Sequence, residues 1–138
     1  MKYLKEFGIK HVALDIINQD HEEAAYFIVT ISTAIQQAEL NTYKKEAVLP
    51  LLQALLTHKT EHFEREESLM LAAQFPALPN HKQEHSRLTN ELKALIDHWI
   101  RYQDIKSLRA YMHQIFPLWL KSHAATMDHA SAEYITSH

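Results

Sequence analysis

The sequence predicts an all-α protein: an up-down-up-down antiparallel four-helix bundle with an extended N-terminal arm. Three observations carry this. Glycine occurs once, at Gly8, and proline four times, at positions 50, 76, 79 and 117, which suits long helices and few tight turns. Apolar residues recur at helical spacing through four stretches, separated by short polar or proline-bearing breaks. The length of 138 residues suits one domain with one core, here the whole span 1–138.

Residues 1–17 show weak periodicity and are read as the arm. Asn18 is a good N-cap, and Glu22 and Glu23 in the first turn suit the helix dipole. Ala24, Ala25, Ile28, Ile31, Ile35 and Ala38 follow helical spacing, so the first helix is expected over about 19–39. Asn41-Thr42 breaks it, and the second helix is expected over about 43–73, where Pro50 either kinks the helix or marks its true start. Leu52, Leu55, Leu56, Lys59, His62, Phe63, Glu66 and Met70 form its inward face. The third helix is expected over about 79–101, with His81, His85, Leu88, Leu92, Leu95 and Trp99 inward. The fourth, capped by Asp104, is expected over about 104–134 along Leu108, Met112, Ile115, Trp119 and His123, with Pro117 as a candidate bend.

Composition removes several function classes. There is no cysteine, so disulfides, zinc fingers and iron–sulfur clusters are excluded. The formal net charge is −3 with both signs interspersed, unlike the basic stripe of a nucleic-acid binder. The N-terminus, Met1-Lys2-Tyr3-Leu4-Lys5-Glu6, has no apolar stretch of signal-peptide length. The longest apolar run, Val48 to Leu56, is interrupted by Gln53 and is too short to span a bilayer. The expectation is a cytoplasmic monomer with no nucleic-acid or membrane partner.

Histidine is the outlier, with 11 copies. His62 and Glu66 lie four residues apart, as do His81 and His85, and such pairs share one helix face. The break Gln74-Phe75-Pro76-Ala77-Leu78-Pro79 lies between the two pairs, so they sit on a helical hairpin. His21 lies on the apolar side of the first helix. His123 and Asp128 lie five residues apart, which on an α-helix separates their directions by roughly 140°; that is poor for one ion but workable if the two flank a two-metal centre. A Glu on an apolar face is costly unless paired or ligated, which makes Glu66 informative. The set His21, His62, Glu66, His81, His85, His123 and Asp128 is too large for one zinc ion, which takes about four ligands. On a pair of octahedral ions, the imidazoles, two bridging carboxylates and a bridging oxygen leave one position open.

These residues resemble the hemerythrin family in its bacterial single-domain form. The matching parts are Ile17-Asn18-Gln19-Asp20-His21, His62-Phe63 with Glu66-Glu67 and Met70, Phe75-Pro76, His81 with Glu84-His85, Trp119-Leu120 with His123, and Asp128. The resemblance implies reversible dioxygen binding at two non-heme iron ions joined by an oxo or hydroxo bridge, for oxygen carriage, storage or delivery. By position it assigns His81, His85 and His123 to one iron and His21 and His62 to the other, left open, with Glu66 and Asp128 bridging. It lines the oxygen pocket with Ala24, Phe63, Trp119, Leu120 and Ala124. The family usually has larger aliphatic residues at the two alanine positions, which implies a roomier, wetter pocket here. It usually has Asp where this chain has Asn18, a change expected to matter little. Imidazole-rich ligation also suits zinc, copper and nickel, so the residues alone leave the metal open.

The reading favours a binding protein over an enzyme and assigns no catalytic residue. Two alternatives stay open: a di-iron enzyme with peroxidase, oxidase or nitric-oxide chemistry, and an oxygen or redox sensor acting through a separate protein partner. No Glu stands three residues before any histidine, as ferritin-like sites require, and His21-Glu22 is followed by Ala25 where a zinc protease needs histidine. The other histidines, 11, 58, 98, 113, 129 and 138, are read as surface or core residues. His58 is placed a turn away from the centre.

Overall fold

The computed structural model describes residues 1–138. Helix α2 (Asp15–Leu40) lays Ala24, Ile28, Ile31, Ile35 and Ala38 into the core, in the three- and four-residue steps of one helical face. Asn18 is not its cap. It is fully buried inside the first turn, where its Oδ1 accepts from the Val12 N–H (2.8 Å) and its Nδ2 donates to the Val12 carbonyl (2.9 Å). An aspartate could accept the first of these bonds but not donate the second, so the amide here fastens the arm to the bundle.

The arm itself is not extended throughout. Helix α1 (Lys2–Glu6) forms a short turn because Glu22 reaches its open end: the carboxylate accepts from the backbone N–H groups of Tyr3 (3.0 Å) and Leu4 (2.7 Å). These donors have no partner within the helix, and a negative charge complements the dipole there. Gly8, at φ 66°, turns the chain away. Val12 then packs with Ile17 and with Ala132 near the C-terminus.

A 3-10 turn occupies Thr42–Ala47, and helix α3 runs over Val48–Ala72. Pro50 is its third residue, where the missing N–H would have had no acceptor in any case. The proline therefore stands at the start of the helix rather than kinking it. Gln74 turns the chain in the left-handed conformation (φ 55°), and helix α4 (Leu78–Tyr102) follows. Gln103, also left-handed, ends α4, and Asp104 caps the next helix through the Ser107 N–H (3.3 Å).

The fourth rod is not one regular helix. It runs through α5 (Ile105–Ala110), a π turn at Tyr111–Ile115, α6 (Phe116–His123), a second π turn at Ala124–Asp128, and α7 (His129–Ser137). The first wide turn lies just before Pro117, whose ring would collide with the carbonyl one regular turn back. Rod α3 packs on α2 and α4, and the fourth rod packs on α2 and α3. The result is an all-helical four-helix bundle around a single main apolar core. No helix is long and apolar enough to cross a membrane.

Candidate metal centre

The second π turn sets the geometry of the site. A regular helix would point His123 and Asp128 apart, but an i→i+5 turn carries residues five apart onto one face. The Asp128 carboxylate reaches three imidazoles at once. Its Oδ2 lies 2.7 Å from His21 Nε2, and its Oδ1 lies 3.0 Å from His81 Nε2 and 3.1 Å from His123 Nε2. The wide turn thus brings the expected five-residue pair onto one face, where the two side chains meet directly.

His81 and His85, one turn apart on α4, both face the core, and with His123 and Asp128 they form one compact buried donor cluster. Glu66 on α3 approaches it, with Oε2 3.4 Å from His85 Nε2. On its far side the His85 ring holds Glu67, Nδ1 to Oε2 at 2.8 Å. That bond places the proton on Nδ1 and leaves the Nε2 lone pair facing inward. Two aromatic walls enclose the imidazoles. Phe63 stacks on His85 (3.8 Å between centroids, 8° between planes), and Trp119 stacks on His123 (4.5 Å, 13°). The Trp119 indole donates to Glu84 (2.8 Å).

His62 stands apart. It is buried like the others, but its Nε2 faces Asp20 Oδ1 (3.0 Å) and Glu23 Oε2 (3.2 Å). His58 Nε2 shares that Glu23 oxygen at 3.0 Å, and the two histidine rings lie 3.5 Å apart. Of the seven residues singled out in the sequence, six join through direct contacts and His62 joins a neighbouring set with Asp20, Glu23 and His58. His58 thus lies beside His62, in the set that stands apart from the Asp128 cluster. The signal was present, since His58 and His62 share a face of α3 and Asp20 and Glu23 flank His21.

Burial governs the charges. It lowers His85 to about 3, with His81 adding to the effect. It lowers His62 to about 2, helped by His58 and Lys59. Burial, then the Asp128 charge, pushes Glu66 up to about 7. Asp128 moves the other way: burial alone would raise it, but the His123 charge and hydrogen bonds from His123, His21 and His81 hold it well below the carboxylate range. Asp20 rises to about 6 through burial and Glu66, although Arg65 donates to its Oδ1 at 2.9 Å.

The residues fit a bound cation. His81 Nε2 and His123 Nε2 lie only 3.1 Å apart on one carboxylate oxygen. Glu66 Oε2 and His85 Nε2 are buried without a hydrogen-bond partner. Orphaned inward lone pairs in a closed core are costly, and a metal ion would satisfy them together. Imidazole and carboxylate donors are the set that holds iron, zinc, copper or nickel. Three grooves reach the cluster from outside: one of about 300 Å³ meets Phe63 and His85, one of about 180 Å³ meets Trp119 and His123, and one of about 80 Å³ meets His81. The largest groove, about 540 Å³ beside Ile16 and Arg65, touches none of the seven residues.

The expected pocket residues Ala24, Phe63, Leu120 and Ala124 are buried in the main core, with Trp119 packed against it. Lys59 has nothing in its spacing to set it apart from the other inward residues of α3. It is 2% exposed, and its ammonium lies 4.7 Å from the Phe63 ring centroid and 5.8 Å from that of Trp119.

A curated relative, the bacteriohemerythrin of Aquifex aeolicus (strain VF5), is 33% identical over 85 residues, which are 62% of this chain and 65% of that protein. The match therefore spans just under two thirds of that relative's own length. No protein-family model and no solved structure matches the chain.

Proposed function

We infer that this chain, a member of a hemerythrin-like family, is a non-heme iron protein that binds dioxygen reversibly at a centre of two ions. The observation that supports it most is the convergence of His21, His81 and His123 on Asp128, with His85 and Glu66 orphaned beside them. His81, His85 and His123 would hold one ion, His21 and His62 the other, and Glu66 and Asp128 would bridge. His62 would join by exchanging its contacts with Asp20 and Glu23. Iron, when bound, would supply the redox electrons and the open position that a small diatomic ligand needs.

The chain's own residues supply the rest. Glu67 fixes the His85 tautomer and Glu84 fixes Trp119. Phe63 and Trp119 press their faces on two of the imidazoles, which limits ring rotation and keeps water from the site. Oxygen carriage, storage or delivery to a protein partner all follow from such a centre.

The test is the metal content and visible spectrum of the anaerobically reduced protein, before and after air. Two irons per chain and a charge-transfer band that appears with air and vanishes on deoxygenation are the expected result. Irreversible oxidation with release of hydrogen peroxide would favour the enzyme reading, and fewer than two irons would contradict the centre.

A further inference from the structure

Glu23 and His58 take no part in the proposed centre, yet they converge with His62 between α2 and α3. Asp20 and Glu23 lie three residues apart on α2, and His58 and His62 lie four apart on α3. Each pair therefore shares a helix face, and the two faces meet. Glu23 Oε2 sits 3.0 Å from His58 Nε2 and 3.2 Å from His62 Nε2, while Asp20 Oδ1 sits 3.0 Å from His62 Nε2. Glu23, His58 and His62 form a second compact group of donor atoms, apart from the one around Asp128.

Hydrogen bonding does not account for this convergence. His58 Nε2 is buried and makes no hydrogen bond, although the Glu23 oxygen is only 3.0 Å away. Asp20 Oδ2 is buried without a partner as well. Nitrogen and oxygen donors separated by about 3.0–3.4 Å are the edges of a coordination shell with bonds of about 2.1 Å. Arg65 offsets the charge of Asp20 at 2.9 Å, which leaves the Glu23 carboxylate uncompensated and the set suited to a cation. Two imidazoles favour a transition metal over calcium or magnesium, which take oxygen ligands. Side-chain exposure falls from 57% at Glu23 to 19% at His58 and 3% at His62, so the donors form a graded path from solvent into the bundle.

We propose that Glu23, His58 and His62, backed by Asp20, form an outer site that captures a divalent transition-metal cation and passes it inward as His62 turns toward the buried centre. The capture stands on the outer residues alone, and the transfer rests on the reading that the centre holds metal. His62 is the hinge between the two sets. In the outer set its Nε2 faces Asp20 and Glu23, and the centre requires the same nitrogen. Glu23 and His58 are thus entry ligands, needed for how fast the centre fills and not for how much it holds.

The test is anaerobic uptake of ferrous iron by the metal-free protein, quenched at intervals with a chromogenic chelator. Glu23→Gln and His58→Phe leave every residue assigned to the centre in place. Both variants should reach the final iron content of the wild type but fill about tenfold or more slowly, the scale of effect when a residue supporting a metal site is removed. Equal uptake rates in iron-replete proteins overturn this proposal alone. A lower final iron content in both variants also overturns it, because Glu23 and His58 would then shape the centre rather than feed it. Glu23→Gln, which keeps the shape of the side chain, decides the matter if His58→Phe does not fold. A wild-type protein that takes up no iron overturns the reading of the centre and the transfer with it. Zinc calorimetry then decides the capture: it stands if the wild type binds a zinc ion that Glu23→Gln loses, and falls if the two proteins bind zinc alike.

Discussion

Asp128 ties three rods of the bundle together, so its removal should be felt even without metal. Its carboxylate meets imidazoles from α2, α4 and α6 at 2.7, 3.0 and 3.1 Å. A hydrogen bond to a charged group contributes about 1.5–3 kcal/mol. The three contacts share one carboxylate and are not independent, and burying that carboxylate costs several kcal/mol. Breaking a buried pair by removing one partner costs about 3–5 kcal/mol, and Asp128→Ala should lose that much in the metal-free protein. For a chain of this size that is a fall in Tm of roughly 10 °C or more. Asp128→Asn keeps the shape and one acceptor and should lose less. The assay is calorimetry of chelator-treated proteins, with metal content measured separately after reloading. A loss below about 1 kcal/mol for the alanine variant would refute the reasoning, since the carboxylate would then not be holding the three histidines in the folded chain.

Asn18→Asp should destabilise the protein by about 1–2 kcal/mol in urea unfolding, because the carboxylate cannot donate to the Val12 carbonyl and is set against it; a midpoint equal to wild type would show that the arm is fastened some other way. Glu84→Gln weakens the grip on the Trp119 indole and should shift its fluorescence while costing about 1 kcal/mol or less, since Glu84 is partly solvated; an unchanged spectrum would remove Glu84 as the group that orients Trp119. Metal affinity should depend on pH through Glu66. Burial and Asp128 raise this carboxyl to about 7 in the metal-free chain, and a metal ligates only the deprotonated form, so apparent affinity should fall about tenfold per pH unit below pH 7 for this one proton. His62 and His85, lowered to about 2 and about 3, are already neutral there and add no competition. Chelator competition between pH 5.5 and 8.5 checks this, and a flat profile would refute it.

The four rods were legible because each buries one face, and a repeat of 3.6 residues survives in the sequence without knowledge of its neighbours. The pair His81/His85 was legible for the same reason, whereas His62, one turn from Glu66, faces Asp20 and Glu23 instead. What the residues did not show are departures from that repeat. His123 and Asp128 meet only because the helix widens between them. Their spacing was itself the clue, since two ligands that must share a face five residues apart imply a π turn. Asn18 looked like a cap because its residue type suits one. Only the return of residues 11–12 against α2 shows that its amide holds backbone instead.

Lys59 shows a different limit. Periodicity placed its Cα on the inward face of α3, but a helical pattern cannot say where four methylenes end. A lysine at such a position usually carries its charge out to water along its stem. Here the stem leads inward, and the ammonium comes to rest on two aromatic faces. The same chain buries Glu66, Asp128 and Asp20 nearby, so four ionisable groups besides the histidines lie in one region of a small core. Each costs stability that an apolar residue of similar size would not. A fold needing only a packed bundle has no use for them.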